Sequence, residues 1–253
     1  MMPEWVKDRE RTLREFFGLS PEIELLLPEV TIPDLPPAVA ESLAHHHLEW
    51  HIIPSAGAVP FDDAYAARLY PMCARNFAEP TYSGASCREA LATGHRRHQG
   101  RLLAVETTRK PRYLPGNRQC YGTPYGFDAT ADPFAPYLGR GSLLTGTRYA
   151  HNYASLRELV NLINDDWRAR ALRPRGYRLT ICPPAVFNLI GTVFHPEWSE
   201  TETLELGFYR DDHGNAKCYA VGSNAPGDFS YIHEIETDSD WTLLGFRTVL
   251  VPE

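Results

Sequence analysis

Lysine is almost missing from this chain. Of its 25 basic residues only Lys7, Lys110 and Lys217 are lysines, so arginine, whose planar guanidinium suits fixed bidentate pairing, carries nearly all the positive charge. No run of about 18 apolar residues occurs, which excludes a membrane-spanning helix. The opening Met1-Met-Pro-Glu-Trp-Val-Lys-Asp-Arg-Glu10 has no apolar core and no small-residue cleavage site, so no secretory leader is expected. The five cysteines (Cys73, Cys87, Cys120, Cys182, Cys218) show no Cys-x-x-Cys spacing. That argues against a disulfide framework or a zinc knuckle and for buried free thiols. Neither Gly-x-Gly-x-x-Gly nor a P-loop appears, so nucleotide binding by the familiar folds is not expected. A Gly-x-Ser-x-Gly elbow is missing as well, so Ser223 or Ser230 with Asp228 and His233 makes a serine-hydrolase triad only on paper.

What is present is a chain of 253 residues, 43% hydrophobic and 23% charged, with a net charge of −7. That composition is ordinary for a folded globular protein and allows a substantial core. A cytoplasmic location is expected. The 21 prolines and 18 glycines predict many turns.

Residues 1–100 read as a helical portion. Trp5, Val6, Leu13, Phe16 and Phe17 predict a helix over 3–18, and Ala40, Leu43, Ala44, His47 and His51 predict another from Pro36 to about Trp50. Asp62 is a cap, and Ser86-Cys-Arg-Glu89 has the form of a capping box opening a helix that ends near Gly94. After Gly100 the pattern changes. Leu102–Thr108 and Tyr177–Cys182 predict strands, and Ser155-Leu-Arg-Glu158 opens a helix carrying Leu156, Leu159, Val160, Ile163 and Trp167. Pro183-Pro184 permits a short helix from Ala185. Leu204–Tyr209 and Ala216–Val221 flank Asp211-Asp-His-Gly-Asn215, a hairpin signature, and Trp241–Val251 predicts the last strand. The fold class is therefore α+β, helices first and antiparallel strands last, with 1–100 and 101–253 forming one compact unit.

Several groups of residues can carry chemistry. On the predicted helix His47 and His51 stand four apart and share a face, a spacing that can hold a metal ion. No third ligand accompanies them, so no metal or other cofactor is expected, and a metal-dependent enzyme using His47 and His51 stands as an alternative. His195 with Glu197 can form an acid–base pair, or His-Pro-Glu can be a turn and cap. Cys182, at a strand end, is a presented nucleophile or a packed thiol. Charge is unevenly placed: 94–118 holds seven basic residues and one acid, while 197–240 holds eleven acids and two bases. Interleaved tyrosines would suit single-stranded nucleic acid, but the net negative charge makes nucleic acid an unexpected partner. The two segments can instead join copies of the chain in a structural or assembly role, a homo-oligomer.

The order of features in the second half has a known counterpart. A capped helix Ser155–Trp167, the segment Gly176-Tyr-Arg-Leu-Thr180 and the closing Asp240-Trp-Thr-Leu-Leu-Gly-Phe-Arg247 together resemble the formylglycine-generating-enzyme and sulfatase-modifying-factor family. That family's fold is a variant of the C-type lectin. Thr180 follows Leu179 without the family's intervening proline, and Cys182-Pro183-Pro184 replaces the usual acidic helix start. Only Cys218 stands where the family has a catalytic cysteine pair, so copper-dependent cysteine oxidation is not implied. The related variable proteins of diversity-generating retroelements use the scaffold for binding, through residues just before the last strand. The resemblance implies a C-type-lectin-like sheet and a non-catalytic protein that binds a protein or small-molecule ligand. Its site would lie in Tyr209–Tyr231, with Tyr209, Tyr219, Asn224, Asp228, Tyr231 and the nearby His233 as contacts.

Overall fold

The computed structural model describes residues 3–71, 73, 77, 82–108, 112–114, 118–120, 132–138, 147–149, 151–200, 204–210, 213, 215–222, 231–238 and 244–253. Val6 and Leu13 stand two helical turns apart and bury one face of α1 (Glu4–Phe17), which Gly18 closes at a positive φ of 67°. The following helix is shorter than its periodicity predicts. α2 (Pro37–His45) ends before His47, whose φ is +52°, and the chain enters β1 (Leu48–Ile53). The physical reason lies in Trp50, Ile52 and Ile53, large and β-branched residues that fit a pleated surface better than a helix. β1 then pairs antiparallel along its whole length with β2 (Arg101–Glu106). His47 and His51 accordingly do not share a helix face.

Asp62 caps α3 (Asp63–Leu69) by accepting the Tyr65 N–H at 2.9 Å. α4 (Tyr82–His98) starts a turn before Ser86 and runs through Gly94, so the apparent capping box sits inside it. Ser86 is instead bonded to Glu234 through its hydroxyl, far away in sequence. β3 (Arg112–Leu114) and β4 (Arg118–Cys120) form a small ribbon. α5 (Tyr153–Ala169) is capped one turn earlier than predicted, by Asn152 and Ser155 in a reciprocal capping box. It buries Leu156, Leu159, Ile163 and Trp167 completely, each worth about 1.5–3 kcal/mol of transfer free energy. β5 (Tyr177–Ile181) leads into α6 (Pro184–Phe194), which is mostly apolar and buried from Pro184 to Gly191. Its entry is tight: an added Cβ on Gly94 of α4 would lie 2.9 Å from the Ala185 Cβ.

A single 3₁₀ turn, Pro196–Glu200, follows α6. β6 (Leu204–Arg210) and β7 (Ala216–Gly222) form the predicted hairpin, and β8 (Tyr231–Ile235) extends it. The expected last strand is two strands. β9 (Leu244–Phe246) runs parallel to β6 in one sheet, of order β8-β7-β6-β9. β10 (Thr248–Pro252) lies between β2 and β5 in the other, of order β1-β2-β10-β5. Arg247 is the joint, a strand changing sheets at a corner. The architecture is α+β, with mostly antiparallel sheets and helices concentrated towards the N-terminus. β1 brings residues of the first hundred into the same sheet as the closing strand.

The joint is held by charge. Arg247, 1% exposed, donates to both carboxylate oxygens of Glu205 (2.9 and 2.8 Å) and to the carbonyls of Glu106 and Thr108 (2.7 and 2.9 Å). Its guanidinium lies 3.7 Å from the Trp198 ring centre. Beside it Arg148 makes a bidentate pair with Asp132 (2.6 and 2.8 Å) and approaches Glu106 Oε1 at 2.6 Å. The other Glu106 oxygen accepts the Thr248 N–H and hydroxyl. No helix among the described residues is long and apolar enough to cross a membrane.

Candidate functional site

The segment expected to bind does not present all its residues outward. Tyr219 is fully buried, its ring stacked against Tyr209 at 5.9 Å and its hydroxyl 3.4 Å from Ser86. It belongs to the core because β7 is the inner neighbour of β6 and β8, with α6 packed on that sheet. Tyr209 is 8% exposed but lines a cleft described below. His233 is exposed on β8. Tyr231 contributes its backbone to β8, while its side chain and Asn224, Asp228, Ser223 and Ser230 lie outside the described residues.

A different concavity is better defined. Between α5 and the edge strand β5 lies a cleft of about 560 Å³, walled also by the end of α4, the start of β2, and Phe208 and Tyr209 of β6. Arg96, Arg97, Arg101, Arg157 and Arg178 line it, and among the described residues no Asp or Glu does. Three of the five arise from local patterns with a simple logic. Arg96 and Arg97 sit in the last turn of α4, where the helix dipole favours cations. Arg178 projects from a sheet edge, where charge discourages strand addition. Arg97 lies over the Tyr209 ring at 5.9 Å, and Arg96 donates to Thr93 Oγ at 2.9 Å. Among the described residues, Arg101, Arg157 and Arg178 form no ion pair.

The floor of the cleft is rigid. Asn164, nearly buried, donates to the Leu179 carbonyl (2.9 Å) and accepts the Leu179 N–H (2.9 Å), so an α5 side chain completes the backbone pairing of β5. His98 lies on the wall with its imidazole held at about 4 by burial and by the charges of Arg101 and Arg97. It is neutral at pH 7.

The histidines separate. His47 stays in the turn before β1, whereas His51 is completely buried on β1, and neither of its ring nitrogens has a hydrogen-bond partner among the described residues. Each buried polar atom left so costs about 1–3 kcal/mol. His195, the residue after α6, faces it with ring centres 5.7 Å apart. Both readings of His-Pro-Glu meet here: His195 Nδ1 lies 2.8 Å from Glu197 Oε1, and the segment opens the Pro196–Glu200 turn. Cys182 is fully buried and burial pushes its thiol well up, so it packs and does not attack. Cys87 and Cys218 are likewise pushed up to about 12 by burial.

Comparison of the chain with protein-family models, characterised proteins and solved structures gives no match. The site therefore stands on its own geometry. It was only half legible: the basic run 94–118 pointed to Arg96, Arg97 and Arg101, but nothing local linked them to Arg157 and Arg178.

Proposed function

We propose that the protein is a non-catalytic binding protein on a C-type-lectin-like scaffold, and that its ligand is a multiply charged, phosphate-bearing small anion seated in the arginine-lined cleft. One observation carries this: five arginines line one concavity that, among the described residues, no Asp or Glu lines, and three of them form no ion pair among those residues. Like charges around one cleft favour an anion there, and an anion fills their fork-shaped donors. The groups on the wall (guanidinium, amide, phenol and a neutral imidazole) recognise charge and ring faces. The packing of α5 beside the β5–β10 pair agrees with the order of elements that suggested the scaffold.

The test is calorimetric titration with pyrophosphate, a nucleoside triphosphate and citrate. Each charge-assisted contact is worth about 1.5–3 kcal/mol, roughly a 10- to 100-fold change in affinity. The triple variant Arg101→Ala/Arg157→Ala/Arg178→Ala should therefore lose at least 100-fold for the best phosphate ligand. Added salt should weaken the wild-type binding. Unchanged binding by a triple variant that self-associates would assign the arginines to guarding the β5 edge instead.

A further inference from the structure

The face of the first sheet that carries β1 holds a second constellation, independent of the cleft. Glu49 and His51 are two residues apart on β1 and so project to the same side. The end of α6 lowers His195 onto them, and one donor atom from each of the three side chains lies within 4.8 Å of the others. His51 is completely buried with both ring nitrogens unpartnered among the described residues, and His195 Nε2 is buried and unpartnered as well. Apolar neighbours do not explain a doubly orphaned imidazole facing another orphaned nitrogen. A ligand that accepts lone pairs does.

The surroundings fit that ligand. The Glu197 carboxylate takes His195 Nδ1 at 2.8 Å, which leaves Nε2 as the lone-pair donor, the carboxylate–histidine arrangement that orients metal-binding imidazoles. The His195 ring is further fixed by stacking on Trp198 at 5.0 Å and 10°. Phe194 packs against His51 at 4.9 Å. Glu49 is the open side of the group, its side chain 46% exposed, and it is shared between Arg9 (2.7 Å) and Thr107 Oγ (3.0 Å). Donors on a tetrahedral ion with bonds of about 2.05 Å stand roughly 3.3 Å apart; binding would draw the three donors, now within 4.8 Å of one another, closer together, with the exposed Glu49 arm free to follow.

We propose that Glu49, His51 and His195 form a binding site for a divalent first-row transition ion, with Glu197 as the positioning residue for His195. Two imidazoles and one carboxylate suit zinc or ferrous iron. Three protein ligands leave at least one coordination position on the Glu49 side for water or an exogenous donor. Arg9, on the same carboxylate, competes with the ion for Glu49.

The experiment uses the full chain without a histidine tag, stripped with chelator and titrated with Zn²⁺ and with Co²⁺ as a visible-absorption probe. One equivalent should bind, with Co²⁺ bands of a four- or five-coordinate nitrogen and oxygen site. His195→Gln should weaken Zn²⁺ at least 100-fold and Glu49→Gln at least 10-fold, whereas Arg9→Met should tighten it. Glu49 is exposed, so Glu49→Gln remains informative even where a histidine variant misfolds; circular dichroism identifies that case. His45→Gln/His47→Gln should change nothing. No stoichiometric binding to the wild-type chain, or affinity lost with His45 and His47 but kept in Glu49→Gln and His195→Gln, overturns the proposal. Neither result bears on anion binding in the cleft, which is read with different ligands and different variants.

Discussion

Replacing Arg247 by methionine tests whether the two sheets are held together as described. The substitution keeps an unbranched apolar stem but removes four hydrogen bonds, two of them to Glu205, and the guanidinium over Trp198. It strands the Glu205 carboxylate, whose side chain is only 4% exposed, together with two buried carbonyls. Breaking a buried pair by removing one partner costs about 3–5 kcal/mol. A domain of ordinary stability has about 5–15 kcal/mol to lose. At roughly 2–4 °C per kcal/mol for a chain of this size, Arg247→Met should melt some 6–20 °C lower. Arg247→Lys keeps the charge but cannot span a carboxylate and two carbonyls at once, and should lose about 2 kcal/mol. Urea denaturation of Arg247→Met, Glu205→Leu and the double variant closes a thermodynamic cycle. The double variant should be more stable than the sum of the singles by at least about 2 kcal/mol, because it removes both charges together. Additive losses, or a loss below about 1 kcal/mol in Arg247→Met, would refute the joint.

Two further outcomes follow from burial. Burial lowers the imidazoles of His46, His51, His95, His151 and His195 and holds His98 at about 4. Unfolded imidazoles titrate near about 6.5, so between that value and the lowered ones the unfolded chain binds more protons. In chelator, the urea midpoint should be highest above pH 6.5 and fall steadily towards pH 4; an unchanged midpoint at pH 5 would contradict the buried neutral histidines. Gly94→Ala should gain about 1 kcal/mol in helix propensity yet lose about 1–3 kcal/mol net, because its Cβ meets Ala185 at 2.9 Å. Ala185→Gly should return part of the loss, measured by thermal melting.

Much of the architecture could be read from local pattern because local physics decides it. The apolar stripe of α5 and the turn residues between β6 and β7 each announce their element, and the structure contains both. Helix starts were less legible. Ser155 looks like a cap in sequence, but as the third helical residue it completes the box begun by Asn152. α2 and β1 read as one helix in sequence because His47 and His51 extend a helical spacing by accident; only pairing with β2 makes 48–53 a strand. The closing segment reads as one strand because apolar residues continue on both sides of Arg247 and nothing local marks a break there. Glu205, the Glu106 carbonyl and the Thr108 carbonyl supply what Arg247 needs, and all three are remote in sequence.

The same reasoning explains why both sites were only partly visible. Periodicity reports which face of an element a residue occupies, not which distant segment covers that face. His51 alternates with Trp50 and Ile52 like any strand residue; its meaning comes from His195, carried there by α6. Arg178 and Arg157 look like solvated charges until the end of α4 brings Arg96 and Arg97 to the same cleft. In sheet order β1 and β5 are opposite edges, three strand spacings or roughly 14 Å apart. Edges are where a sheet has backbone and side chains not committed to a neighbour on one side. A fold whose two inner strands each have a neighbour on both sides, and whose sheet joint is occupied by Arg247 and Glu205, leaves room for further chemistry at those two edges. Arg178 stands on one of those edge strands, and the His51 imidazole, unpartnered among the described residues, stands on the other.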